Sequence, residues 1–264
     1  KSAYAPHVGG LIGYASGTTT IEKSHSEFAI KKGGRSGGLI GYAVGKVNVT
    51  ECYNTAPLKG EVVGGLIAQV EEYVHLFNSY NIGALDGSRI TGGILGHSAG
   101  EAAIVNSFNM GENSEGNKLG CIIDSRVYRY GENNLLVENA YCPEEGDPYN
   151  GGINIVENTF KSGSLGKKLH AFRAEDVDGS VWGQDVGKDD YPVLTGTIKN
   201  AKEDVFRKLS FVTFEGDTTA YPTQYQEGFP AEIPEIVNSG YVYAWYDNPE
   251  FTGKKYHEIP ASTK

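Results

Sequence analysis

Two stretches of the chain carry the spacing Gly-x-Ser-x-Gly of a nucleophile elbow, Gly96-His97-Ser98-Ala99-Gly100 and Gly34-Arg35-Ser36-Gly37-Gly38. An elbow works only where a strand runs through a strained turn into a helix, which lifts the hydroxyl into the open. Ser98 instead falls in line with Ala15 and Ala43 of neighbouring units, so it reads as a repeat corner rather than a nucleophile. The six histidines, His7, His25, His75, His97, His170 and His257, form no HExxH pair and no cluster, which argues against zinc chemistry. His25 takes the place of an aromatic residue in its column, so it reads as a packing or solvent-facing ring.

Carboxylates give the next candidates. Asp176, Asp178, Asp185, Asp189 and Asp190 are crowded together, and Asp176-Val177-Asp178-Gly179 matches part of a calcium loop, but the full ligand spacing is absent. A solvated acidic loop is the reading adopted. Glu22, Glu51, Glu101 and Glu138 have surface-like spacing and define no acid–base pair. No catalytic, cofactor-binding or metal-binding residue is therefore assigned, no cofactor is called for, and the chain reads as a non-enzyme.

The elements that position these residues follow from a repeat. The pair GGL or GGI begins at Gly9, Gly37, Gly64 and Gly92, at spacings of 28, 27 and 28 residues, with a degenerate fifth copy at Leu119-Gly120-Cys121. Fifteen residues after each first glycine stand Ser24, Cys52, Ser79 and Ser107, followed by His25, Tyr53, Tyr80 and Phe108. The fifth copy supplies Ala140 and Tyr141 after an insertion of six. Each unit holds short apolar β-prone runs and no helical period, and a unit this small cannot bury its apolar side alone. Stacking units about 4.8 Å apart solves this, as a parallel β-solenoid about 24 Å long over five coils. Leu11, Leu39, Leu66, Ile94 and Cys121 then form an interior ladder, and Ser24, Cys52, Ser79, Ser107 and Ala140 fill a tight slot. The paired glycines are expected to make a corner where no Cβ fits, with a bend at φ > 0.

Composition agrees. The 264 residues include 36 glycines, roughly double the ordinary usage of about 7 % and ill-suited to long helices. Lys and Arg number 23 against 33 Asp and Glu, a net charge of −10 with neither half basic, so nucleic acid is not an expected partner. No long apolar run predicts a membrane span, and the N-terminus lacks the pattern of a signal peptide. The three cysteines, Cys52, Cys121 and Cys142, are too few and too irregularly spaced to predict a disulfide framework or a metal site.

Residues 8–125 resemble the GLUG-motif repeats of large bacterial surface and secreted proteins. The resemblance rests on GGLIGYASG, GGLIGYAVG and GGILGHSAG, each followed by a stretch like Glu51-Cys52-Tyr53-Asn54; the third copy departs, with Ala68-Gln69 in place of Gly-Tyr. It implies a right-handed coil and the cell exterior. Beyond residue 160 the period is lost. Leu165, Leu169 and Phe172 fit one face of a short helix within residues 161–175, and Trp182-Gly183-Gln184 with Tyr191-Pro192-Val193-Leu194 is similar to the segment that often follows such repeats. This part reads as a cap on the last coil.

Gly240-Tyr241-Val242-Tyr243-Ala244-Trp245-Tyr246 and Phe251 to Tyr256 are similar to a Listeria-Bacteroides repeat, a small β-grasp-like module of internalin-type proteins. Its Trp245 reads as core, with a sugar-stacking platform as the alternative.

The organisation expected is an all-β solenoid of about five 27–28-residue coils over 1–160, a capping segment over 161–195, a linker over 196–208 and the β-grasp-like module over 209–264. The function this implies is a noncatalytic, monomeric module at the bacterial surface or outside the cell, adhesive or spacing, with a host matrix protein or glycan as partner. A carbohydrate-binding module and an accessory region of a larger secreted protease or glycosidase are the alternatives.

Overall fold

A computed structural model describes residues 6–112, 120–124, 135–143, 152–155 and 157–201, with the strands Phe206–Lys208, Gln224–Gln226, Ala231–Glu232 and Glu258–Ile259. The described chain is mostly strand and forms a parallel β-solenoid of about four turns. Each of the first four coils contributes one strand to each of four parallel sheets. The first sheet holds His7–Gly9, Arg35–Gly37, Leu58–Gly64 and Leu85–Gly92. The second holds Ile12–Ser16, Ile40–Val44, Ile67–Val70 and Leu95–Ser98. The third holds Thr19–Glu22, Lys46–Thr50, Tyr73–Phe77 and Glu101–Val105, extended by Leu135–Glu138 of the fifth unit. The fourth holds the two-residue strands His25–Ser26, Tyr53–Asn54, Tyr80–Asn81 and Phe108–Asn109, then Tyr141–Pro143 and Ile153–Ile155.

The register reproduces the sequence columns. Ala15 pairs with Ala43, Ala43 with Val70 and Val70 with Ser98, so Ser98 does occupy a repeat position on a strand. Leu39, Leu66, Ile94 and Cys121 are fully buried in one core with the inward residues of the second and third sheets. Leu11, in the same column on the first described coil, departs from the expected interior ladder and is 48 % exposed.

The slot column is held by hydroxyls. The Cys52 amide donates to Ser79 Oγ and the Ser79 amide to Ser107 Oγ, both at 3.1 Å. Beside it, Asn54 Nδ2 donates to Asn81 Oδ1 and Asn81 Nδ2 to Asn109 Oδ1, both at 2.8 Å, a buried amide ladder that leaves no dry polar group unpaired along it.

The corner chemistry differs from expectation in one respect. The paired glycines do not take the left-handed conformation; that falls to Lys23, Glu51, Asn78, Asn106 and Asn139, one per unit, at φ between 46° and 55°. Asparagine tolerates this region better than most residues, which accounts for its use in three of the five. The glycine pair is required by close approach instead: a Cβ on Gly65 would lie 2.0 Å from the Gly93 carbonyl oxygen.

After the last solenoid strand, helices α1 (Glu157–Lys161) and α2 (Ser164–Ala171), the antiparallel pair Arg173–Ala174 with Val177–Asp178, and a 3-10 turn at Gly179–Val181 lead to Trp182. Leu165 and Leu169 on α2 are buried, whereas Phe172 ends the helix in extended conformation. This segment lies along the flank of the fourth sheet. Phe160, Leu165, Leu169 and Trp182 form a second core with Tyr80, Phe108, Tyr141 and Ile155. Further on, Gln184–Asp185 pairs with Ile198–Lys199, Phe206–Lys208 with Gln224–Gln226, and Ala231–Glu232 with Glu258–Ile259. The aromatic run around Trp245 lies outside the described residues.

Candidate functional site

Strand periodicity builds a half-buried aromatic row on the third sheet. In Tyr73-Val74-His75-Leu76-Phe77, Val74 and Leu76 are fully buried, so the alternation of a strand turns Tyr73, His75 and Phe77 outward. Their rings touch in sequence, with centroids 4.2 Å apart for Tyr73 and His75 and 5.0 Å for His75 and Phe77. The Tyr73 hydroxyl lies against both ring nitrogens of His75.

Parallel register decides what stands beside this row. Tyr73 lies between Lys46 and Glu101, His75 between Asn48 and Ala103, and Phe77 between Thr50 and Val105. Ala103 is followed on the next strand by Leu136, which is 50 % exposed. A small side chain between larger ones leaves a trough: Tyr73, His75, Glu101, Ala103 and Leu136 line a shallow groove of about 470 Å³. Burial holds the His75 imidazole below its ordinary pKa, against the opposing pull of the Asp176 and Glu101 carboxylates. The ring is thus held toward its neutral form, and Glu101 is the carboxylate among the described lining residues. Such a surface can stack a ligand and accept its hydrogen bonds.

A second polar group spans the outer side of the first two sheets. Arg35 Nε donates to Gln69 Oε1, Gln69 Nε2 donates to Glu71 Oε1 at 2.6 Å, and the Arg35 guanidinium stacks 4.7 Å over the Tyr42 ring. Tyr42 is raised above the ordinary phenol pKa by burial first and by its bond to Glu71 second. His97 Nδ1 is buried without a hydrogen-bond partner, and burial lowers its pKa. The Arg35, Gln69, Glu71 and Tyr42 groups satisfy one another, so this network braces adjacent coils.

The sequence candidates fall elsewhere. Ser98 is fully buried with its hydroxyl donating to the Gly100 carbonyl at 3.2 Å, and Ser36 is fully buried with its hydroxyl bonded to Lys59 O. Neither hydroxyl is presented to a substrate. The acidic loop is divided among separate partners: Asp178 accepts from Ser180 and pairs with Arg173, Asp185 pairs with Lys188 and Asn200, and Asp189 accepts from the Asp185 amide. Among the described residues no His, Cys, Asp or Glu cluster with metal-holding geometry occurs.

His25, Tyr53, Tyr80 and Phe108 do stack, with centroids 4.6, 4.8 and 5.0 Å apart and planes within 8°. Trp182 and Tyr191 cover the column from Tyr80 onward, leaving Tyr80 only 3 % exposed, so only His25 and Tyr53 face outward. One pairing escaped the sequence: Cys121 and Cys142 form a disulfide with a Cα separation of 5.6 Å, while Cys52 stays a buried free thiol. No helix among the described residues is long and apolar enough to cross a membrane. No family model, curated protein or solved structure matches the chain.

Proposed function

We propose that the chain is a noncatalytic module of a secreted or surface-attached bacterial protein, a stiff mount that carries an adhesive face. The observation that carries this reading is the outward, half-buried row of Tyr73, His75 and Phe77 on the third sheet. An adhesive face needs side chains fixed before the ligand arrives, since ordering them on contact costs about 0.5–1.5 kcal/mol each. The ladder of Asn54, Asn81 and Asn109 supplies that fixity by tying the second, third and fourth coils together.

Two further observations support an exterior location. The Cys121–Cys142 bridge suits an oxidising compartment, and the resemblance of residues 8–125 to GLUG repeats points to the cell surface. A glycan or a matrix protein is the class of partner such a shallow, aromatic face accommodates. The test is an array of glycans and matrix proteins probed with the purified chain. A reproducible ligand is the expected result; silence across the array defeats the adhesive part of the proposal.

A further inference from the structure

We infer that the Cys121–Cys142 bridge is a redox-set latch that takes the place of one rung of the amide ladder and holds the fifth unit in register with the coils before it. In the second and third coils the second glycine of the pair packs directly on the ladder asparagine: a Cβ on Gly38 would lie 2.5 Å from Asn54 Cβ, and one on Gly65 would lie 2.6 Å from Asn81 Cβ. In the fourth coil a Cβ on Gly93 would lie 2.6 Å from Asn109 Nδ2. The fifth unit puts its two cysteines at these two places. Gly92 stands opposite Gly120 and Leu95 opposite Ile123, so Cys121 follows at the position of Gly93, one place before the leucine column in which the repeat spacing sets it. Tyr141 stands opposite Phe108, so Cys142 follows at the position of Asn109. Where the earlier coils touch, the fifth is bonded, with Cα atoms 5.6 Å apart.

Two further observations give the covalent tie its purpose. Asn109 is the last amide of the ladder, and its Nδ2 reaches the Gly111 carbonyl at 3.5 Å, where Asn54 and Asn81 reach the Ala56 and Gly83 carbonyls at 2.9 Å. A backbone tie is missing as well. Ile82 donates to the Asn54 carbonyl at 3.0 Å and Met110 to the Asn81 carbonyl at 2.8 Å, but the equivalent residue of the fifth unit is Pro143, which has no N–H to give. The latch also reaches the flank, because Tyr141, next to Cys142, packs in the second core with Phe108, Phe160 and Trp182. Both cysteines are buried and the backbone at Gly152 closes over Cys121 Sγ, so the bond is made and broken only while the fifth unit is open. A dithiol opens it by thiol–disulfide exchange: the S–S bond breaks, two thiols form, and the dithiol gives up two electrons and two protons as it closes to its own disulfide.

The experiment compares the melting temperatures of three full chains, each refolded from denaturant with and without a dithiol: the parent, Cys121→Ala/Cys142→Ala, and Cys121→Gly/Cys142→Asn. The last restores the glycine and asparagine of the earlier coils. The alanine pair should melt about 6–12 °C below the oxidised parent, and the parent refolded in dithiol should fall by a similar amount. The glycine–asparagine pair should recover several degrees of that loss and should not respond to the dithiol, because the amide rung then does the work of the bridge. If the alanine pair fails to fold, folding of the glycine–asparagine pair gives the same support. A glycine–asparagine pair no more stable than the alanine pair, failure of both to fold, or a parent whose melting temperature is unchanged by refolding in dithiol overturns the inference.

Discussion

Trp182 Nε1 donates to Asn78 Oδ1 at 3.2 Å, a bond between residues 104 apart that fastens the flanking segment to a corner of the third coil. Asn78 also donates to the Asp178 carbonyl at 3.1 Å, and Asn106, one coil on, donates to the Leu169 carbonyl at 3.1 Å. The left-handed corner asparagines thus bend the coil and dock the flank. Trp182→Ala removes a fully buried ring as well as the bond, and should destabilise by about 3–5 kcal/mol in chemical denaturation. Trp182→Phe keeps most of the packing and should cost clearly less. Equal stability of Trp182→Ala and the parent chain would mean that the flank does not pack on the fourth sheet.

Removing one rung of the amide ladder tests the stacking itself. Asn81 accepts from Asn54 and donates to Asn109 and to the Gly83 carbonyl, all while fully buried. Asn81→Ala leaves these partners dry and unsatisfied, at a cost of about 1–3 kcal/mol. Gly65→Val should be worse, since its Cβ meets the Gly93 carbonyl oxygen and the Asn81 side chain. Thermal unfolding of both variants gives the order, and a Gly65→Val protein as stable as the parent would contradict the close packing of the glycine corner.

Stability should fall on mild acidification. His7, His75 and His97 are all held below the ordinary value of 6.5, each chiefly by burial. The unfolded chain therefore takes up protons at these sites before the folded chain does, so their contribution is intact above about pH 6.5 and is lost progressively as pH falls from there through the lowered folded-state values. Melting temperatures measured between pH 8 and 5 should show this drop, and His97→Gln should flatten it. A melting temperature that rises as the pH is lowered through this range would contradict the burial of these imidazoles.

The three cysteines give a thiol count that distinguishes states. Burial raises the Cys52 thiol to about 11, which leaves it protonated and enclosed. An aromatic disulfide reagent should find no reactive thiol in the native chain, one after denaturation, and three after denaturation with reduction. Cleaving the Cys121–Cys142 bridge, whose cysteines are 21 residues apart, should cost about 3 kcal/mol. A second reactive thiol in the denatured, unreduced chain would show that the bridge does not form.

The solenoid was legible because its period is written in side chains that must meet: Leu39 lies beside Leu66, and Ser79 bonds Ser107. The number of walls was less so, since two-residue strands such as Tyr53–Asn54 are too short to carry a periodicity of their own. The Cys121–Cys142 pair was hidden by the insertion that lengthens the fifth unit, which makes residues on two walls look unrelated in register. Burial of Tyr80 depends on Trp182, more than 100 residues downstream, so the repeat alone could not tell a covered ring from an open one. The alternation of Tyr73, His75 and Phe77 was present in the sequence, yet the groove beside them exists only because Ala103 and Leu136 arrive on the next two strands.

The most direct measurement compares the parent chain with a Tyr73→Ser, Phe77→Ser variant on the same glycan and matrix-protein array, with circular dichroism confirming that both are folded. Loss of the parent's signals in the folded variant is the predicted result. Signals that persist unchanged would contradict the assignment of the outer face of the third sheet as the adhesive surface.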